Sequence, residues 1–194
     1  MKSLEIQVNG ASPLFDRSNM HYREFPSDYK YIRRYTTLII RSAPSKIKEF
    51  NLLEQQISEI IKNAIKHGNK NDPSKKVKVW YLFNPHVARV VVEDEGEGFK
   101  DLEKWNEFNR KRLEYINNQD LGMLLNYISF HTALSGDVEG GNALFAAVEY
   151  WNAGFIFNEK RNAVAMKKIF PKKAVFLEQP LLDFVPWTLN DPVA

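Results

Sequence analysis

The chain contains no cysteine, which excludes disulfides, thiolate metal sites and a cysteine nucleophile. No apolar run approaches the ~18 residues that a membrane-spanning helix needs. No Gly-x-x-x-x-Gly-Lys-Ser/Thr segment exists, so there is no P-loop, and no Gly-x-Ser-x-Gly nucleophile elbow exists either. His21, His67, His86 and His131 are scattered without metal-ligand spacing. Charge of one sign is also scarce: 27 basic residues face 24 acidic ones, a net +3, too mild a balance to imply nucleic acid as a direct partner. The segment Met1-Lys2-Ser3-Leu4-Glu5 lacks the layout of a signal peptide, so a cytoplasmic location away from membranes is expected. Internal repeats and low-complexity tracts are lacking too. What is present is ordinary globular usage, 44% hydrophobic and 26% charged over 194 residues, which suits one domain or one domain with an appendage.

Residues 3 to 8 and 21 to 26 read as short strands, the second ending at Pro26. Ser27 and Asp28 look like an N-terminal cap for a helix carrying Ile32, Tyr35, Leu38, Ile39 and Ser42, broken by Ala43-Pro44-Ser45. The clearest helix covers 46 to 67, where Phe50, Leu53, Ile57, Ile60 and Ala64 keep a period near 3.6 and Gly68-Asn69 supplies the stop. Val77, Val79, Tyr81 and Phe83 share one face of a strand, with Lys75, Lys76 and Lys78 marking it as a solvated edge. After Asn84-Pro85-His86, the β-branched run from Val87 to Glu93 reads as a central strand. Helices are expected over 101 to 118 and 120 to 134, and a glycine-rich loop over 135 to 142. A helix over 143 to 151 and a hairpin around Glu159-Lys160-Arg161-Asn162 follow. Residues 171 to 194, with Pro180, Pro186 and Pro192, read as a tail that packs on a surface or a partner.

Three elements could carry chemistry. Glu59 and Asn63, four apart, project from one helical face, with Lys66 and His67 continuing near it. Such a row is usually a solvated stripe, but asparagine is a poor interior helix residue and metal coordination is one reason to place it there. Asp94-x-Gly96-x-Gly98 ends the apolar strand where the chain turns outward. Glycines there permit positive φ and close approach to the main chain, and the aspartate can accept a hydrogen bond from an exocyclic amine. Gly140-Gly141-Asn142 precedes a helix, whose N-terminal N–H groups favour phosphate.

In this order the elements resemble the GHKL ATP-binding superfamily shared by histidine kinases, gyrase and MutL. Ser58-Glu59-Ile60-Ile61-Lys62-Asn63-Ala64-Ile65-Lys66-His67-Gly68 looks like its N box, and Asp94-Glu95-Gly96-Glu97-Gly98-Phe99 like its first glycine box. Within the superfamily the likeness is to bacterial anti-sigma factor serine kinases of the RsbW and SpoIIAB type. The resemblance implies an α/β (α+β) two-layer domain over 1 to 170: a mixed, mostly antiparallel sheet with helices on one face. It implies ATP and Mg2+ as cofactors. Glu59 would be the general base, Asn63 the metal ligand and Lys66 a phosphate contact. Asp94 would bond the adenine amino group, Gly96 and Gly98 would let the nucleotide approach the main chain, and Gly140, Gly141 and Asn142 would form the second glycine box. That box usually reads Gly-x-Gly-hydrophobic, and Leu121-Gly122-Met123-Leu124 is a rival placement. Residues 99 to 139 would be an extended helical lid.

The implied function is a serine/threonine kinase that phosphorylates an anti-anti-sigma partner of the STAS type and alternately sequesters a sigma factor, with a homodimer as a further possibility. The alternative is a non-catalytic module of the same fold that acts by protein contacts.

Overall fold

In a computed structural model the described residues are 5–47, 49–128, 130 and 140–171. Among the described residues six strands form one sheet in the order β1-β5-β6-β4-β3-β2. Strands β2 (His21–Pro26), β3 (Lys76–Phe83), β4 (Val87–Glu93), β6 (Ala163–Ile169) and β5 (Gly154–Phe157) pair antiparallel. Among these strands only β1 (Gln7–Val8) runs parallel to its neighbour, β5. The mixed, mostly antiparallel sheet expected from the sequence is therefore present. The dense valine run does lie in the middle, flanked by β3 and β6.

Alternation decides which face of the sheet is buried. Val77, Val79 and Tyr81 of β3 align through the register with Val92 and Val90 of β4 and with Val164 and Met166 of β6, and all seven are buried. Against them lie helices α1 (Ile32–Ile40) and α2 (Phe50–Asn63), which contribute Ile39, Leu53, Ile57 and Ile61, each fully shielded from solvent. Close-packed β-branched and aliphatic side chains of this kind stabilise by about 1.5–3 kcal/mol each relative to exposure. Helices α3 (Leu102–Asn117) and α5 (Gly140–Tyr150) extend the layer, with Trp105 and Phe145 stacked at 5.0 Å. The short α4 (Leu121–Leu124) follows α3.

Several expectations need correction. β3 is not an edge. It pairs with β2, placing Lys76 opposite Pro26 and Lys78 opposite Glu24, and β2 is the edge strand. Asp28 does cap a single 3-10 turn (Tyr29–Tyr31) through the Lys30 N–H, but Ser27 is wholly buried and serves another purpose. The helix expected over 120 to 134 is only α4 and one 3-10 turn among the described residues; 129 and 131 to 139 lie outside them, as do residues 172 to 194 of the tail. Gly140, Gly141 and Asn142, expected at the end of a glycine-rich loop before the helix, instead form the first turn of α5, while 135 to 139 lie outside the described residues.

The helix-free face carries a strap that sequence pattern did not indicate. Residues 9 to 18 cross it, with Leu14 against Gly154. Arg89 donates to the Asp16 carbonyl at 2.5 Å. Arg17 pairs with Glu93 at 2.6 Å and lies 3.6 Å over the Trp80 ring.

Candidate functional site

The site is built where α2 ends. Glu59, Lys62, Asn63 and Lys66 form a half-buried row between the buried Ile57, Ile60, Ile61, Ala64 and Ile65 and solvent. Lys62 Nζ lies 3.5 Å from Glu59 Oε2. Among the described residues the Asn63 side-chain amide has no hydrogen-bond partner. The regular helix then widens into a π turn over Ala64–Gly68, closed by the Asn69 N–H donating to the Ala64 carbonyl at 2.8 Å. Such turns occur often at functional positions. The wider turn displaces Lys66 and His67 around the axis from where a 3.6-residue period places them. Both interact with neighbouring groups, and cations suit the negative end of the helix. Lys70 and Asn71, with φ near 58° and 57°, then reverse the chain.

The end of α2 meets the turn that follows β4. A Cβ added to Gly68 would collide with the Asp94 carboxylate, and one added to Gly96 would collide with the Gly68 carbonyl. Gly68, Asp94 and Gly96 are thus stacked in direct contact. Gly98 has φ 86°, and a Cβ there would strike the Lys160 carbonyl. The bare side of each of these glycines is filled by another part of the same chain, so their immediate structural reason is interlocking of backbone.

Asp94 is half-buried. Its Oδ1 accepts the Gly96 N–H at 2.8 Å, while Oδ2 accepts no hydrogen bond among the described residues. Burial pushes its pKa up to about 6, against the opposing Gly96 hydrogen bond and the more distant Lys160 and Lys75 charges. A partly desolvated carboxylate with one empty oxygen is suited to an incoming N–H donor. The donor set therefore fits a base with an exocyclic amine. The oxygen atoms of Glu59 and Asn63 are of the hard type that Mg2+ takes.

The β5–β6 hairpin secures the same turn from the other side. The Asp94 N–H donates to the Asn162 carbonyl at 2.9 Å and the Phe99 N–H to the Arg161 carbonyl at 3.1 Å. Arg161 makes a bidentate ion pair with Glu103 at the start of α3. The segment read as a lid is firmly attached along α3. Trp105 and Phe108 pack on Phe145 of α5, and the Asn106 amide exchanges two 2.9 Å hydrogen bonds with the Ile6 backbone. Asn106 thereby covers the outer edge of the sheet as a further strand would. The rival glycine-box segment, 121 to 124, forms exposed α4, with Leu121 72% accessible.

Two residues missed in the sequence are central. Asn69, read only as a helix stop, is fully buried and hydrogen-bonded to three separate segments. Asn162, read only as hairpin turn, bonds the Asp94 backbone. In the sequence Asn69 is only the residue after the N box and Asn162 only the last of a hairpin turn, positions where asparagine is common for local reasons.

A mostly antiparallel sheet, helices on one face, and an acid–amide helix ending against an aspartate–glycine turn define the class: a two-layer α+β domain of the GHKL ATPase type. The family model described as histidine kinase-like ATPase domain matches residues 25–167, and the chain belongs to that family. Among curated relatives, an anti-sigma F factor from Anoxybacillus flavithermus is 24% identical over 90 residues, covering 45% of this chain and 62% of that protein. One from Geobacillus kaustophilus is 27% identical over 90 residues, with 45% and 62% covered. One from Geobacillus stearothermophilus is 36% identical over 56 residues, with 29% and 38% covered. The chain spans about three fifths of the length of the first of these relatives.

Proposed function

We propose that this chain is a nucleotide-dependent partner-switching regulator that binds ATP with Mg2+ and acts as an anti-sigma-type serine/threonine kinase. The observation that carries the reading is the Asp94 carboxylate, partly desolvated and with Oδ2 unused, seated on Gly68 at the end of the helix that bears Glu59 and Asn63. Asp94 would accept the adenine amino group. Lys66 and the N-terminal turn of α5, with Gly140, Gly141 and Asn142, would face the phosphates. Asn63 would hold Mg2+, whose charge neutralises the phosphate oxygens. Glu59 would take the proton from the attacking serine or threonine hydroxyl as its oxygen bonds to the γ-phosphorus and ADP leaves, a reaction in which positioning and charge do most of the work. The family match and the similarity to proteins named anti-sigma F factor support a regulator of this kind. A STAS-type anti-anti-sigma protein would be the phosphate acceptor, and a sigma factor the alternative partner.

The second reading is a non-catalytic module of the same fold. The departure from Gly-x-Gly at 140 to 142 favours it, since that segment would contact the phosphates.

Thermal unfolding with and without Mg·ATP tests the proposal. Ligand at a hundredfold excess over Kd adds about 2.7 kcal/mol, roughly 5–10 °C in Tm for a domain of this size. Asn63→Ala should remove that shift. An unshifted Tm in the wild type rejects nucleotide binding. Binding without phosphate transfer to an acceptor pulled from native extract selects the second reading.

A further inference from the structure

Two side-chain amides hold a single peptide group, the one joining Asp94 to Glu95. Asn69 Oδ1 accepts the Glu95 N–H at 2.8 Å. Asn162 Nδ2 donates to the Asp94 carbonyl at 2.5 Å. The two ends of this peptide plane are therefore gripped from opposite directions, Asn69 arriving from the end of α2 and Asn162 from the β5–β6 hairpin. The plane cannot turn without breaking one of these bonds, so the two amides hold the start of the turn that presents the Gly96 N–H to Asp94 Oδ1 at 2.8 Å and thereby orients the carboxylate.

Asn69 is anchored in turn. Its Nδ2 donates to Ser27 Oγ at 2.7 Å and to the Lys76 carbonyl at 2.9 Å, and its own N–H closes the π turn on Ala64. Ser27 follows β2 and Lys76 begins β3, so one fully buried side chain ties the loop before α1, the first residue of β3 and the turn after β4 to the end of α2. Only a carboxamide offers two donors and an acceptor in that span. Neither amide touches the Asp94 carboxylate itself, which leaves Oδ2 for a ligand.

We propose that Asn69 and Asn162 are positioning residues that fix the Asp94–Glu95 peptide, and through it the Asp94 carboxylate, against the α2 terminus for recognition of an amine-bearing purine. This rests on the nucleotide reading above. Positioning acts on the base, not on the phosphates, and that separates it from a general structural role.

The test compares wild type with Asn69→Ala, Asn162→Ala and, as control, Ser27→Ala, which removes one anchor of Asn69 without touching the peptide. Without nucleotide, amide hydrogen exchange at Glu95 should accelerate about tenfold or more in both asparagine variants and stay near wild type in Ser27→Ala. With nucleotide, the Kd for Mg·ATP should weaken about tenfold or more in the asparagine variants, while the Kd for Mg·tripolyphosphate stays unchanged. Equal losses for both ligands, or an unchanged ATP Kd in a folded variant, overturn the positioning role. If Asn69→Ala does not fold, the half-buried Asn162→Ala decides the matter. A wild type that ignores Mg·ATP rejects the nucleotide reading and this role with it; a wild type that binds, with variants that bind equally well, overturns the role alone.

Discussion

Replacing Asp94 with asparagine should stabilise the protein and destroy its proposed function in one step. The carboxyl has been raised from an ordinary value to about 6, chiefly by burial. Because the folded-state value lies above the unfolded one, the folded protein holds the proton more tightly, and the ionised carboxylate costs stability at neutral pH. A gap of roughly two pH units at about 1.4 kcal/mol each bounds that cost near 3 kcal/mol, and the remaining solvent contact of a half-buried group lowers it to about 1–2 kcal/mol. The asparagine Oδ1 can still accept the Gly96 N–H, while the neutral amide carries no such penalty. Apo Asp94→Asn should therefore melt roughly 2–8 °C above wild type at pH 7.5. The advantage fades with acidification: it is full above pH 6, shrinks between about 6 and 4, and is gone below about 4. With Mg·ATP the order inverts, since the amide presents a donor to the adenine amino group and the ligand-induced shift is lost. Differential scanning calorimetry across pH 4–8, with and without nucleotide, reads all of this. An apo variant less stable than wild type at pH 7.5, or an advantage independent of pH, refutes the burial argument; a retained ATP shift refutes Asp94 as the base-recognising group.

Glu59→Gln should keep the Mg·ATP thermal shift and lose phosphate transfer by at least about a hundredfold, measured with radiolabelled ATP and the isolated acceptor; undiminished transfer removes Glu59 as base. Gly68→Ala should destabilise by about 1–3 kcal/mol in chemical denaturation, although alanine at a helical position would ordinarily help by up to about 1 kcal/mol, because the added methyl collides with the Asp94 carboxylate. In an Asp94→Ala background the same change should cost little, and additive costs in the double variant would disprove that contact. Trp105→Ala should cost about 3–5 kcal/mol, because its ring is almost wholly buried against Phe145; a loss under 1 kcal/mol would show α3 to be a loosely held flap.

Much of the fold was readable because burial imposes periodicity. The apolar run from Val87 to Val92 is central because strands on both sides shield its edges. The α2 stripe of Leu53, Ile57 and Ile61 is buried because it faces that sheet. The lysines beside β3 misled for a physical reason: Lys76 and Lys78 alternate with buried Val77 and Val79 and stay half-exposed on the opposite face, and composition alone does not separate a partly solvated face from an edge. The strap of residues 9 to 18 was illegible because it has no period, and Arg17 and Arg89 hold it by contacts made far along the chain. Asn69 was legible only as a helix stop, since its partners at Ser27, Lys76 and Glu95 are separated from it by up to 42 residues.

The sequence alone determined the elements, their order and the spacing of Glu59, Asn63, Asp94, Gly96 and Gly98, because local geometry and hydrophobic period are properties of neighbouring residues. The tertiary structure decided that Gly68 and Gly96 interlock around the Asp94 carboxylate, that Asn69 and Asn162 grip the peptide beside it, and that α3 is bound down by Trp105 and Asn106. Those outcomes depend on which distant backbone groups burial strips of water and obliges to find a partner.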